Sequence, residues 1–372
     1  MRVALLAHCH HPIAEPFAGG LEAHTSLLAD ELVRRGHQVT LFAKAGSRSR
    51  ARVQPVIDRS FVAGDAPDAT GVDQSDHIVD RGMTRAAAAV HAGRFDVVLN
   101  NSLNPVPYAA YPRLPMLTIL HTPATLVRVN AVIEDPSWRP ADQHAFVAVS
   151  AVTAADWQRR LTAATVGCIP NGIDLNHWAP RAARRTMTAG ARPPHAVWAA
   201  RITPEKGLPI AIAAARAAGF QLEFCGPVAD RDHFRDDIEP LLGDDVRYVG
   251  HLDHRRLPRF LRRGDVFVAS PQWDEPFGLS LVEAMACGTP VAALPRGAAA
   301  EVVGRDGGVL AADLTVGALA QAMVEAARLE RLRVRHSVGR FAMDAMVDAY
   351  ETLMLDLVRL GVRDDRVGAE VA

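Results

Sequence analysis

Two stretches of the sequence hold residue types suited to a charged, hydroxyl-rich ligand. The first is AARITPEKG, Ala199–Gly207, where Arg201 and Lys206 stand in a loop between a short apolar run and an Ala-rich helical stretch. Open α/β sheets bind ligands at the carboxyl ends of their strands. An arginine fork and a lysine point charge at such an end can clamp a diphosphate. The same loop also fits a plain surface turn in which Glu205 and Lys206 face water. Lysine usage tips the balance: Lys44 and Lys206 are the only two lysines in an arginine-rich chain, so a retained lysine points to a need for a compact charge.

The second stretch is SPQWDEPFGLSLVEAMACGTPV, Ser270–Val291. Glu275 and Glu283 can accept hydrogen bonds from vicinal hydroxyls, and the backbone N–H groups around Gly278 can supply donors. A structural reading competes. Ser280 followed three residues later by Glu283 has the spacing of a capping box, in which Glu283 only caps its own helix. A third feature is Gly19-Gly20 ahead of a helix, where backbone can approach a ligand and the helix start favours an anion. A tight turn would look the same. Neither half of the chain has the dinucleotide GxGxxG spacing, which counts against a nicotinamide or flavin enzyme.

Short apolar runs must position these residues. Strands are expected over Arg2–Ala7, Gln38–Ala43, Val97–Asn100, Met116–His121 and Phe146–Ser150, with a helix over Leu21–Arg35. The pattern then restarts. Strands are expected over Ala196–Ala200, Leu222–Cys225, Val246–Tyr248, Val266–Ala269 and Pro290–Ala293, with a helix over Leu208–Ala218. Two successive βα arrays imply two Rossmann-like domains joined by the Pro-, Gly-, Asn- and Arg-rich stretch Asn171–Pro194. Phe341–Leu360 reads as a helix with Met343, Met346, Tyr350 and Met354 on one stripe, followed by a polar, frayed tail from Gly361.

Bulk composition narrows the class. A chain of 372 residues exceeds what one core usually serves. The net charge of -1 gives no basic excess for nucleic acid. Cys9, Cys168, Cys225 and Cys287 are too scattered for a metal or redox motif and read as reduced, small apolar residues. The first apolar run is too short for a signal peptide, and no run reaches the roughly 18 residues of a membrane span, so a cytoplasmic location is expected. The arginine-rich stretch from Lys44 to Arg59 is expected to be a solvated loop, with contact to an anionic membrane or acceptor as its alternative. Asp230-Arg231-Asp232 has the form of a metal-binding triplet, but helix-capping charges are the simpler reading. The pairs Asp236-Asp237 and Asp244-Asp245 read as solvated charges.

Taken together, FAGGLEAHTSLLADELVRRGHQVTLFA, the PNGID of Pro170–Asp174, AARITPEKG, and the segment Asp274–Pro290 with its seven residues between Glu275 and Glu283 resemble the retaining family 4 glycosyltransferases. The resemblance covers almost the whole chain. It implies an α/β GT-B fold: two Rossmann-like domains facing each other across a cleft that closes over substrate. The acceptor-side domain would span 1–170 plus the C-terminal helix of about 341–372, and the donor-binding domain 171–340. The reaction implied moves a sugar from a nucleoside-diphosphate sugar to an acceptor hydroxyl, with UDP-sugars favoured and GDP-sugars next.

Roles follow by resemblance. Arg201 and Lys206 match the diphosphate-binding pair. Glu275 matches the glutamate that holds the donor sugar, and the amides of Phe277, Gly278 and Leu279 match those at the sugar hydroxyls and phosphate. Glu283 matches the glutamate that takes the ribose hydroxyls. Gly19 and Gly20 match the loop that closes over the phosphates, and His121 a histidine facing the anomeric carbon. From the residues alone, a core histidine is the simpler reading of His121. Asn171 and Asp174 match a structural turn between the domains. The family implies no metal and no cofactor, with the acceptor proton passing to the donor's own phosphate. Its acceptor, whether saccharide, lipid or small molecule, would meet His11, Glu15, His24 and Asn101. GAAAEVV, Gly297–Val303, departs from the family in lacking a second glycine, but keeps Glu301. Rivals are an epimerase on the same fold and a silent nucleotide-sugar-binding protein. A pyridoxal-dependent phosphorylase would need a spare lysine, and only Lys44 remains.

Overall fold

The computed structural model describes residues 1–61, 74–111, 114–179 and 193–370, without the side chains of 74, 75 and 362–370. Most of the stretch proposed as a linker, residues 180–192, lies outside the described residues. The chain divides into two compact units, one of Met1–Pro170 with Met346–Ala372 and one of Asn171–Ala345.

In the first unit the strands are β1 (Arg2–Leu6), β2 (Gln38–Lys44), β3 (Arg52–Ile57), β4 (Val97–Asn100), β5 (Met116–Leu120), β6 (His144–Ala148) and β7 (Val166–Cys168). They form one parallel sheet in the order β3-β2-β1-β4-β5-β6-β7. The second unit has β8 (His195–Ala199), β9 (Gln221–Cys225), β10 (Val246–Tyr248), β11 (Val266–Ala269), β12 (Val291–Ala293) and β13 (Gly308–Leu310), in the order β10-β9-β8-β11-β12-β13 and again parallel. Both orders are those of doubly wound sheets. The central strands read as unbroken apolar runs because helices cover both faces of such a sheet. In the second unit the core runs from Trp198 and Phe224 to the helix faces of Leu208, Ile212, Leu319 and Met323.

Three strands carry no clear sequence signal, β3, β7 and β13, and all three are sheet edges. β3 overturns the expected loop of Lys44–Arg59. Its Pro55 is tolerated because an edge strand has one unpaired side. Lys44 is also not solvated. It ends β2, is buried, and its Nζ donates to the carbonyls of Phe61 at 2.5 Å and His10 at 3.2 Å. The C-terminal helix runs over Met343–Glu370, so its backbone stays helical past Gly361 rather than fraying there. It buries Met346, Tyr350 and Met354 of the expected stripe, while Arg35 and His37 hold its outer side through Asp348 and Glu351. Of the four free cysteines, Cys168 is exposed rather than buried.

Candidate active site

Strand order reverses between β8 and β11 in the second sheet, and a crevice opens at such a point beyond the carboxyl ends of the strands. The loop after β8 carries Arg201 and Lys206; the loop after β11 carries Trp273 and Glu275. The adjacency of the two strands brings these loops together. The Gln272 N–H donates to the Glu205 carbonyl at 2.7 Å, and the Ser270 hydroxyl donates to the Gly207 carbonyl at 2.8 Å. Lys206 Nζ then donates to Glu275 Oε2 at 2.6 Å, although the residues are 69 positions apart. Trp273 shares that oxygen through its Nε1–H at 3.0 Å, and the Lys206 ammonium lies 4.7 Å from the indole ring centroid. Indole and carboxylate together fix the lysine head. Its remaining N–H donors and Oε1 of Glu275 stay available to a ligand. Arg201 is exposed and has only a loose pairing with Glu205, at 3.8 Å. Nothing holds it against Lys206.

The capping-box reading of Ser280 and Glu283 does not survive. The helix spans Leu279–Ala286 and its N-cap is Gly278, at φ 89°, a conformation that favours glycine. Ser280 already lies inside the helix and makes no cap. Glu283 is therefore free of a capping duty. It sits half-buried between the buried Val282 and Ala284, and burial pushes its carboxyl up to about 7. No described residue forms an ion pair with it. The N–H groups of Phe277, Gly278 and Leu279 lie at the start of this helix, where backbone donors lack intrahelical acceptors. Phe277 itself is a packing anchor, buried edge-on against Phe341 at 5.4 Å.

The first sheet reverses order between β1 and β4. Here the loops after β1, β4 and β5 carry the candidates. His121 follows β5, half-buried, with its ring 4.7 Å from that of His24. Burial, helped by His24 and His8, holds His121 well below the ordinary imidazole value, and burial alone pushes His24 down to about 4. Both rings are neutral at pH 7. Asn101 donates to Thr25 Oγ1 at 3.3 Å. Several buried atoms here have no partner: both ring nitrogens of His24, Nε2 of His121, Oδ1 of Asn101 and the Tyr350 hydroxyl. Such atoms are costly unless water or a ligand meets them. His11 and Glu15 are exposed. Gly19 is the N-cap of the helix Gly20–Arg34 at φ −169°, an extended backbone open to any residue. The backbone at Gly19 therefore makes no turn that only glycine could adopt.

Asp230 caps the helix Arg231–His233 by accepting from the His233 N–H at 2.8 Å, and Asp232 pairs with Arg235 at 2.8 Å. The triplet thus has a structural occupation. Among the described residues no cluster of three His, Cys, Asp or Glu has the arrangement of a metal site. Trp273 is the residue that sequence reasoning passed over. Its only sequence signal is an aromatic two positions before Glu275.

The chain matches the model of the Glycosyltransferase Family 4 domain over residues 18–177 and that of Glycosyl transferases group 1 over 184–340. It is 31% identical to the D-inositol 3-phosphate glycosyltransferase of Mycobacterium tuberculosis, over 88% of this chain and 76% of that protein. Among solved structures it is similar to the sucrose-phosphate synthase of Thermosynechococcus elongatus, with a TM-score of 0.79, 23% identity and coverage of 97% and 100% of the two chains. It is also similar to HepE of Anabaena in complex with UDP-glucose, with a TM-score of 0.71, 19% identity and coverage of 95% and 99%. These structures share the GT-B fold with this chain. No described helix is long and apolar enough to cross a membrane.

Proposed function

Because this chain belongs to the family 4, group 1 glycosyltransferases, we propose that it moves a hexosyl group from a nucleoside-diphosphate sugar to an acceptor hydroxyl with retention of configuration. The observation that carries the donor assignment is the Lys206–Glu275 pair at 2.6 Å, built by two loops at the switch point of the second sheet. A cation and a carboxylate so placed suit the two ends of one ligand group, a charged diphosphate beside a polyol. Arg201, exposed and loosely paired, swings onto the diphosphate when donor binds. Lys206, Arg201 and the amides of Phe277, Gly278 and Leu279 stabilise the leaving diphosphate, the largest contribution expected in such chemistry. Glu275 accepts sugar hydroxyls and Glu283 accepts the ribose hydroxyls.

The bond between the anomeric carbon and the diphosphate oxygen breaks as the acceptor oxygen bonds to that carbon. The acceptor proton passes to the departing phosphate on the same face, so no enzymic base and no metal ion are needed. Burial lowers the basicity of the His121 ring, so we assign it a hydrogen-bonding role rather than proton transfer. UDP is the favoured nucleotide and GDP the next. A phosphorylated or polyhydroxylated acceptor agrees with the inositol phosphate named for the mycobacterial relative.

Thermal melting with UDP, GDP and ADP tests the donor assignment. A ligand at about a hundred times its Kd stabilises by about 2.7 kcal/mol. UDP is expected to raise Tm for the native chain and not for Lys206→Ala. No shift with any of the three at millimolar concentration would sink the assignment. Retention is read separately, from the anomeric configuration of the first product formed.

A further inference from the structure

One face of the first sheet changes character along its length. Arg2 pairs with Gln38, and Thr40 pairs with both Ala4 and Arg52. Alternate residues of a strand share a face. Arg2, Gln38, Thr40, Arg52 and Gln54 therefore lie on the same side as Ala4, Leu6, Phe42 and Val56. The apolar half of that face packs against Val79, Met83 and Ala86 of the helix Gln74–Ala92. The polar half, at the amino ends of the strands, floors a depression of about 450 Å³ that Arg50, Gly93 and Phe95 help to line.

Three exposed arginines, Arg2, Arg50 and Arg52, help to line this depression with His37, and no Asp or Glu does. None of the three forms an ion pair with a described residue. Two acids nearby hold neutral donors: Asp96 accepts from the backbone N–H of Arg2, and Asp30 from that of Arg50 and from the Ser49 hydroxyl. Arg2 instead lies over the Phe95 ring, 5.8 Å from its centroid. Like charges gathered in this way repel until an anion lies between them. Guanidinium forks match phosphate oxygens, and the Gln38 and Gln54 amides can meet hydroxyls or further oxygens. The volume falls in the range that takes a small molecule.

We propose that this depression is a second ligand site, which binds a multiply charged phosphoanion. It lies at the opposite ends of the strands from the loops that carry His121 and Asn101. It is independent of the donor assignment. The anion is a phosphate ester or diphosphate, either free or as the head group of an acidic phospholipid.

Calorimetry with inorganic pyrophosphate on the full chain at low salt tests the proposal. Pyrophosphate can also enter the donor site, so the titration is made on Arg201→Ala/Lys206→Ala. Binding is expected to persist there, and to weaken by at least about tenfold when Arg2→Ala/Arg52→Ala is added. An unchanged Tm shows that the variant is folded, and Arg2→Gln/Arg52→Gln replaces it if it is not. Co-sedimentation with phosphatidylcholine vesicles, with and without phosphatidylglycerol, separates the two sources. Capture only by the acidic vesicles, lost in the arginine variant, assigns the head group. Equal pyrophosphate affinity and equal vesicle capture with and without Arg2 and Arg52 would overturn the proposal. The arginines would then only offset the carboxyl end of the helix Gln74–Ala92.

Discussion

Replacing Glu283 with Gln is expected to make the protein more stable and a poorer binder of its donor. The carboxyl moves from an ordinary 4.5 to about 7 on folding because burial disfavours its charged form. Between those values the folded state holds a proton that the unfolded state has released, so stability falls as pH rises through this window. By pH 8 the cost reaches about 3 kcal/mol, at 1.36 kcal/mol for each tenfold. Gln has the same shape and no charge, but its buried amide lacks partners and gives back about 1–2 kcal/mol. The net gain at pH 8 is about 1–2 kcal/mol, a Tm rise of about 2–8 °C for a unit of this size. At pH 5 the native carboxyl is protonated and the gain vanishes. Fluorimetric melting of both proteins from pH 5 to pH 8 reads this directly. Donor binding moves the other way: an amide accepts ribose hydroxyls less well than a carboxylate, and the UDP-induced shift should shrink in the variant. A stability difference that is the same at pH 5 and pH 8, or absent at both, would refute the reasoning from burial.

Gly297 has φ 53°, and a Cβ there would lie 2.3 Å from the Glu275 carbonyl oxygen and 2.4 Å from its nitrogen. Gly297→Ala should therefore cost more than about 2 kcal/mol, in lowered Tm, and should displace Glu275 enough to cut kcat/KM; a stable, fully active variant would contradict it. His24 has its midpoint pushed down to about 4, so the unfolded chain takes up its proton first as pH falls. The stability held by neutral His24 is present above about pH 6.5 and is lost toward pH 4. His24→Phe removes that proton and two unpartnered nitrogens, and should flatten the fall in Tm between pH 6.5 and pH 4. A variant with an unchanged acid slope would show that His24 does not set it.

Strand patterns were legible where a segment is buried on both faces, whereas the core helices Gln74–Ala92 and Val316–Ala326 were not named from the sequence. β1, β2, β4, β8, β9 and β11 all read as apolar runs, and the chemistry-bearing loops could be placed at their carboxyl ends. Of the four edge strands only β10 was legible; β3, β7 and β13 bury too little to need an apolar run. The stretch Arg52–Ile57, with its arginine and proline, looked like a loop for that reason. The only two lysines, Lys44 and Lys206, each hold specific partners, although Lys44 was expected in a solvated loop.

The candidate site divides along the same line. Residue types and their spacing within one loop are local facts, so Arg201, Lys206, Glu275 and Glu283 could be named from the sequence alone. Their states could not. Strand order, set by pairings between distant segments, puts the β8 and β11 loops side by side and joins Lys206 to Glu275 and Trp273. A left-handed glycine starts the helix one residue before Leu279 and takes the capping duty away from Ser280 and Glu283. Burial is a property of everything packed around a group. Only the tertiary structure could therefore make His24 and His121 neutral and lift Glu283 to about 7. The sequence by itself determined which groups are available; the packing of segments far apart in the chain decided which of them meet, and in what charge state.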